Sequence, residues 1–282
     1  YYKTFMWPAS FWKKYEYFIR HSAGLGKSPK EKDPDIYDHK YIHCDVLVVG
    51  AGIAGILAAK NAAKNNLKTL LVDEKNEIGG ATIYQNREFN KIENQNSSDW
   101  LKKEIQELKN VKNLEVKVRT SVAAYHGYNY LLARENLTDH LEKKDKQGKI
   151  RQRLLKIRAK KVILATGALE RPLIFNNNDR PGIMLCSAIK KYADFYGVVC
   201  GQKTVFFTNN DSAYESAFCL HNKGIKVEAI IDIRDNSNSK IVKAVEDAGI
   251  KVYWSHTVVD TSGYKRLKNI SVMKLSNDGM SV

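Results

Sequence analysis

The sequence predicts an α/β fold: a Rossmann-like unit carrying an inserted β-meander, followed by a second Rossmann-like βαβ unit. Three observations predict it. Between Cys44 and Glu74 an apolar strand, a glycine-rich turn, an alanine-rich helix and a second apolar strand follow without interruption. Three alternating stretches then lead to an apolar run that ends in Ala165-Thr166-Gly167. From Thr204 the strand–helix–strand rhythm resumes, this time with no glycine in the turn.

The chain opens on an aromatic arm and linker, residues 1–40. Residues 1–18 hold nine aromatic side chains, more than one amphipathic face accommodates, so the arm is expected either to meet another chain or to be covered by its own. Residues 10–23 read as a helix stopped by Gly24, and residues 26–39 as a polar linker. Residues 46–49 are an unbroken apolar run, as in a strand buried on both faces. In the turn Gly50-Ala51-Gly52-Ile53-Ala54-Gly55, Gly50 permits the tight exit from the strand. Gly52, lacking Cβ, lets a pyrophosphate approach the backbone, and Gly55 with Ala59 lets the helix lie close to the sheet. Free N–H groups at the helix start, with the dipole behind them, stabilise phosphate charge. Residues 67–72 form the next strand, closed by Asp73 and Glu74. These acids follow Gly55 at roughly the ~20-residue spacing of a carboxylate that holds an adenosine ribose.

Gly79-Gly80-Ala81-Thr82 comes next, a glycine pair soon after the ribose acid. Residues 97–108 read as an amphipathic helix capped by Ser97 or Ser98. Residues 114–124, 128–135 and 149–157 alternate like three antiparallel strands, the last two flanking a charged turn. A separate core strand, residues 161–165, runs into Ala165-Thr166-Gly167, where small residues let backbone and nucleotide approach. After the connection through Pro181-Gly182, residues 187–196 read as a helix. The second unit has strands at 205–208, 227–232 and 252–254 and helices at 212–222 and 240–248. Its turn, Thr208-Asn209-Asn210-Asp211-Ser212-Ala213-Tyr214, would obstruct a phosphate with side chains and repel it with Asp211, so the unit reads as one without a dinucleotide, or with an unusual one. The expected domains are 1–40, 41–182 for the dinucleotide-binding domain, 183–260 for the second unit and 261–282 for an incomplete β region.

The formal net charge is +15, but only 11 of the 46 basic residues are Arg and the lysines are scattered. Nucleic-acid binders gather basic residues on one face or motif, so that class is set aside. Cys44, Cys186, Cys200 and Cys219 are too far apart for C-x-x-C metal or dithiol chemistry and read as reduced thiols of a cytoplasmic protein. No signal peptide is seen, and the longest uncharged run is too short for a membrane span. His21, His43, His126, His221 and His256 are isolated, so neither a catalytic residue nor a metal site is assigned.

Taken together, YYKTFMWP, CDVLVVGAGIAG, the stretch from VDE to GG, ATGALERPLIF, NDRPGIM and TNNDSAY resemble, in order, the alpha subunits of heterotetrameric sarcosine oxidases. The resemblance spans nearly the whole chain. It implies the FAD/NAD(P)-binding fold of flavoproteins with two dinucleotide-binding domains. It also implies a complex that oxidises sarcosine to glycine, forms hydrogen peroxide and passes the methyl carbon to tetrahydrofolate. The implied cofactor of this subunit is NAD. FAD and FMN are expected in the partner subunit and at its interface, and beta, gamma and delta subunits are the implied partners. The chain is read as part of a longer polypeptide, lacking a small N-terminal domain and the later folate-binding region, and as not catalytic alone. Carried over position by position, the implied site is Gly50, Gly52, Ala54 and Gly55 at the phosphates, Asp73 and Glu74 at the ribose with Lys75 beside them, Gly80 and Ala81 at the glycine pair, Val122 at the adenine, and Thr166 and Gly167 at the second turn. Two alternatives stay open: an FAD-dependent oxidoreductase of NAD(P)H or an amino acid, and a non-catalytic nucleotide-binding scaffold.

Overall fold

The computed structural model describes residues 8–26, 30–84, 91–279 and 281–282, so most of the motif YYKTFMWP lies outside the described residues. The arm forms helix α1 (Trp12–Ser22), in which no residue is buried. Trp12 and Phe18 keep 37% and 68% of their surface, so the described residues do not cover the aromatic face.

The first sheet contains β1 (Ile36–Val49), β2 (Thr69–Val72), β5 (Leu114–Lys117), β6 (Thr120–His126), β7 (Tyr130–Asn136) and β8 (Ile150–Leu164), in the order β5-β2-β1-β8-β7-β6. A two-residue hairpin, β3 (Lys91–Ile92) with β4 (Gln95–Asn96), stands apart. The β5-β2-β1-β8 block is parallel, as a sheet fed by crossover helices must be, and β8-β7-β6 is the antiparallel meander. Helix α2 (Ile53–Lys64) supplies the first crossover and α3 (Ser97–Lys109) the second. One face of the sheet is buried through Leu47, Leu70, Leu131, Leu155 and Ile157, and the other packs Val46, Val48 and Leu71 against Ala59 of α2.

Four expectations are corrected here. β1 begins at Ile36, so the end of the expected linker is strand. β8 is one strand where two were expected: Lys160 and Lys161 look like a break, yet the parallel pairing with β1 continues through them to Val49–Leu164. Lys160 is held there by Asp45, with Nζ 2.7 Å from Oδ1. The expected strand 114–124 is two strands, because Arg119 takes a positive φ of 52° and turns the chain from β5, on one edge of the sheet, to β6, on the other. Finally, Asn96 rather than Ser97 or Ser98 occupies the N-cap of α3, without a side-chain capping bond, and both serine hydroxyls are buried with no partner among the described residues.

Beyond the meander and the short helix α4 (Lys143–Lys146), the chain leaves through Glu170. That carboxylate accepts the N–H groups of Cys186 (2.9 Å) and Ser187 (2.7 Å), capping helix α5 (Cys186–Phe195). The second sheet is parallel, β11-β10-β9, from β9 (Lys203–Thr208), β10 (Lys226–Asp232) and β11 (Val252–Trp254), linked by α6 (Ser212–Asn222) and α7 (Lys240–Asp247). Its own core centres on Tyr214, Leu220, Ile230, Val242 and Val245. The expected incomplete β region is an antiparallel hairpin, β12 (His256–Ser262) with β13 (Asn269–Lys274).

Candidate functional site

The predicted residues converge at the carboxyl ends of β1, β2 and β8, where a parallel sheet leaves its crevice. Gly50 has φ +100°, and a Cβ there would lie 2.3 Å from the carbonyl oxygen of Ala165, so the glycine turn is pressed against the Ala-Thr-Gly turn. A Cβ on Gly55 would lie 1.8 Å from the carbonyl oxygen of Gly50. One on Gly80 would come to 3.0 Å from Gly52 Cα, so the glycine pair backs onto the turn. Gly52 differs from all three: a Cβ there meets nothing within 4 Å. Its φ of −74° is ordinary, so its glycine identity answers to the space in front of it.

Behind Gly52 starts α2. No side chain caps its N-terminus, and its first turn carries no acidic residue. Ala54 is exposed in that turn. The helix therefore presents N–H groups and the positive end of its dipole to the open side of the turn, an arrangement that stabilises an anion. Thr166 and Gly167 are exposed on the adjoining turn, and Ala81 is exposed beside Gly80.

The acids divide. Glu74 is exposed at the end of β2. Asp73 turns inward: its Oδ2 accepts the N–H of Ala51 at 2.6 Å and its Oδ1 the N–H of Lys75 at 2.8 Å. Val122 is half-buried on β6 and joins from the side, since Thr120 N–H on the same strand donates to the carbonyl of Asp73 at 2.7 Å. Sequence reasoning missed Ala51, which is fully buried and whose carbonyl accepts Gly79 N–H at 2.7 Å. It also missed Arg119, whose N–H holds the carbonyl of Lys75 at 2.7 Å. No local pattern marks either residue, because each acts through backbone groups.

The matching turn of the second unit is filled. Tyr214 is fully buried and donates its hydroxyl to Asp232 Oδ2 at 2.8 Å, and Asp232 is itself 0% exposed. Arg234 caps the same carboxylate through Nη2 at 2.7 Å and reaches Asp211 through Nη1 at 2.8 Å. Burial works against the charged form of Asp211, yet hydrogen bonds led by that from Arg234 hold its carboxyl below the usual carboxylate range. Asp211, expected to repel a phosphate, is thus tied into a closed polar cluster.

All four cysteines are free thiols. Burial pushes Cys44 up to about 11, and burial with the nearby Glu170 and Asp194 carboxylates pushes Cys186 and Cys219 each up to about 12. Cys200 is exposed. At pH 8 an aromatic disulfide reagent is expected to label Cys200 rapidly and the other three only as the protein opens, since the thiolate is the reacting form. Rapid labelling of Cys186 or Cys219 would contradict this. Among the described residues no group of three or more His, Cys, Asp or Glu is placed to hold a metal ion, and no helix is long and apolar enough to cross a membrane.

Comparison with known proteins agrees with this fold. Residues 44–280 match the family model described as pyridine nucleotide-disulphide oxidoreductase. The chain is 36% identical to the sarcosine oxidase subunit alpha of Rhizobium meliloti (strain 1021), over 99% of this chain and 29% of that protein. It is 39% identical to the subunit of the same name from Corynebacterium sp. (strain P-1), over 90% of this chain and 26% of that one. The chain thus spans under a third of the length of these curated relatives. Among solved structures, L-proline dehydrogenase from P. horikoshii superposes with a TM-score of 0.60 at 21% identity, covering 88% of this chain and 43% of that one. Thioredoxin reductase from T. acidophilum gives 0.56 at 17% identity, covering 82% and 70%. At those identities the two structures establish the fold alone.

Proposed function

The chain belongs to the pyridine nucleotide-disulphide oxidoreductase family, and we propose that it is the NAD-binding portion of the alpha subunit of a cytoplasmic sarcosine oxidase complex. Its partners in this reading are the beta, gamma and delta subunits. The complex oxidises the CH–NH group of sarcosine, yielding glycine and hydrogen peroxide, with the one-carbon unit passed to tetrahydrofolate. The flavins and the reacting centre belong to the partner subunit and its interface. This chain supplies the dinucleotide site.

One observation carries the nucleotide reading. Gly50, Gly55 and Gly80 are packed to contact, whereas Gly52, in front of an uncapped helix start, and Gly167 on the adjoining turn have nothing within 4 Å of where a Cβ would lie. The residues therefore suit a pyrophosphate: backbone N–H groups of residues 52–55 would hold it, with Gly80, Thr166 and Gly167 at its flanks. Glu74 would hold the adenosine ribose, and Val122 would border the adenine. A bound NAD would supply hydride chemistry in principle; the protein groups here bind and orient it. The second unit, its turn filled by Tyr214, would hold none.

The test is the nucleotide released when purified full-length alpha subunit is denatured. One equivalent of NAD is the expected result. FAD in its place would favour a flavin-dependent oxidoreductase, and no nucleotide would reduce the unit to a scaffold.

A further inference from the structure

We infer that the face of the meander turned away from its core docks an acidic segment of a partner protein. The inference is independent of the dinucleotide reading, because this face lies apart from the glycine turn. Alternation along β8 sorts its side chains onto two sides. Leu155 and Ile157 are buried in the core, and Arg151 and Arg153 share their side of the strand. There both guanidinium groups meet carboxylates. Arg151 Nε lies 2.6 Å from Asp139 Oδ1, and Arg153 Nε lies 2.9 Å from Asp38 Oδ2.

The alternate residues face the other way and are not neutralised. Lys156 and Arg158 pair in register with Tyr41 and His43 of β1, and with Leu132 and Tyr130 of β7. Arg134 stands on the same side of β7, two residues beyond Leu132. Arg134, Arg158 and His43 are exposed, and Tyr41 keeps 68% of its surface. Among the described residues, Arg134, Lys156 and Arg158 form no ion pair. Asp45, the acid on this side of β1, is already taken by Lys160 Nζ at 2.7 Å. One sheet therefore compensates its cations on the core side and leaves them uncompensated on the outer side. A patch of one sign attracts a surface of the opposite sign.

The aromatic residues of this face decide what kind of anion fits. Lys156 Nζ lies 5.0 Å from the centre of the Tyr41 ring and 3.3 Å from its hydroxyl. The Arg158 guanidinium lies 5.0 Å from the centre of the Tyr130 ring, and its Nη1 donates to the carbonyl of Tyr128 at 3.2 Å. Both cations are thus held in place before any partner arrives, which lowers the entropy cost of binding. A guanidinium stacked on a ring still offers its edge N–H groups to a carboxylate. A single-stranded nucleic acid needs an open aromatic face on which a base can stack, and here a cation already occupies each ring. Lys156 and Arg158 are two residues apart on one strand, roughly 7 Å. Acidic residues at alternate positions of an extended segment have the same spacing.

The experiment titrates the full-length chain with poly-L-glutamate and with a single-stranded oligo-thymidylate of equal charge. Three proteins are compared: the unaltered chain, Lys156→Glu with Arg158→Glu, and Lys240→Glu with Lys243→Glu. The last pair lies exposed on α7 and changes the net charge equally. Polyglutamate is expected to bind the unaltered chain more tightly than the oligonucleotide does. Reversal at the meander should weaken polyglutamate about tenfold or more, and reversal on α7 about twofold or less. Equal losses in the two variants would reduce the effect to overall charge and overturn the proposal. So would an unaltered chain that does not bind polyglutamate, or one that binds the oligonucleotide more tightly. Should the meander variant fail to fold, carbodiimide coupling of polyglutamate to the unaltered chain decides. Coupling mapped to Lys156 supports the proposal; coupling that spares Lys156 overturns it.

Discussion

Gly52→Val is expected to leave the protein folded and to remove nucleotide binding, while Gly55→Ala, a smaller change three residues on, is expected to destabilise the fold. The two glycines belong to one motif but face different things. A Cβ at Gly55 would sit 1.8 Å from the carbonyl oxygen of Gly50 and 3.4 Å from the Ala165 side chain. That oxygen belongs to a turn already pressed on the Ala-Thr-Gly backbone, so α2 itself must move away. Overpacking of this kind costs about 3 kcal/mol, enough to take a large share of the stability of an ordinary domain. Gly52 has open space where its side chain would go and a φ that any residue adopts. Valine there costs only its weaker N-cap propensity, about 1 kcal/mol or less. Its methyl groups would occupy the volume assigned to the pyrophosphate, and affinity should fall more than about 100-fold, the equivalent of roughly 2.7 kcal/mol. Thermal denaturation and calorimetric titration with NAD on the full-length subunit check both halves. A Gly52→Val protein that still binds NAD would refute the placement of the phosphates.

Arg234→Met is expected to be the most damaging single change in the second unit. Asp232 is 0% exposed, and Arg234 supplies its backbone N–H, Nε and Nη2 to that carboxylate, while Tyr214 donates its hydroxyl. Methionine preserves the stem and removes the charge, so a buried carboxylate keeps its desolvation cost without its counter-ion. Breaking such a pair costs about 3–5 kcal/mol; the partial solvent access of Arg234 places the expected value near the lower end. The double variant Arg234→Met with Asp232→Asn should recover a good part of the loss, because the orphaned charge is gone. Urea denaturation of the two variants measures both numbers. If the single change is harmless, the cluster is not what closes the second turn, and its filled state needs another cause.

How much of this was legible beforehand follows the range of the forces involved. The turn from Gly50 to Gly55 was readable because its chemistry is local: glycine, small residues and a helix start adjoin in sequence, and each has one physical use there. The second βαβ unit was readable for the same reason, and helix α6 came out at the expected residues. Strand extent was not. Ile36 to Tyr41 is polar and largely exposed, and Lys160-Lys161 interrupts an apolar run, so both look like breaks when read along one chain. They are strand because β1 and β8 pair with each other over their whole lengths, and a ladder of backbone hydrogen bonds does not require apolar side chains where one face meets water.

The sequence by itself therefore determined the order of the elements, the glycine turn and the absence of a second one, all of which depend on neighbours a few residues apart. The tertiary structure alone decided which way each acid faces. Asp73 and Glu74 are adjacent and equally charged, and no spacing says which of them turns inward. They part because Ala51, far back in the chain, presents an N–H that one carboxylate must satisfy. The same holds for Asp211, which reads as repelling a phosphate until Arg234 folds between it and Asp232. Hydrogen-bond partners brought together across a sheet are invisible to periodicity, and they are what turns a fold into a site.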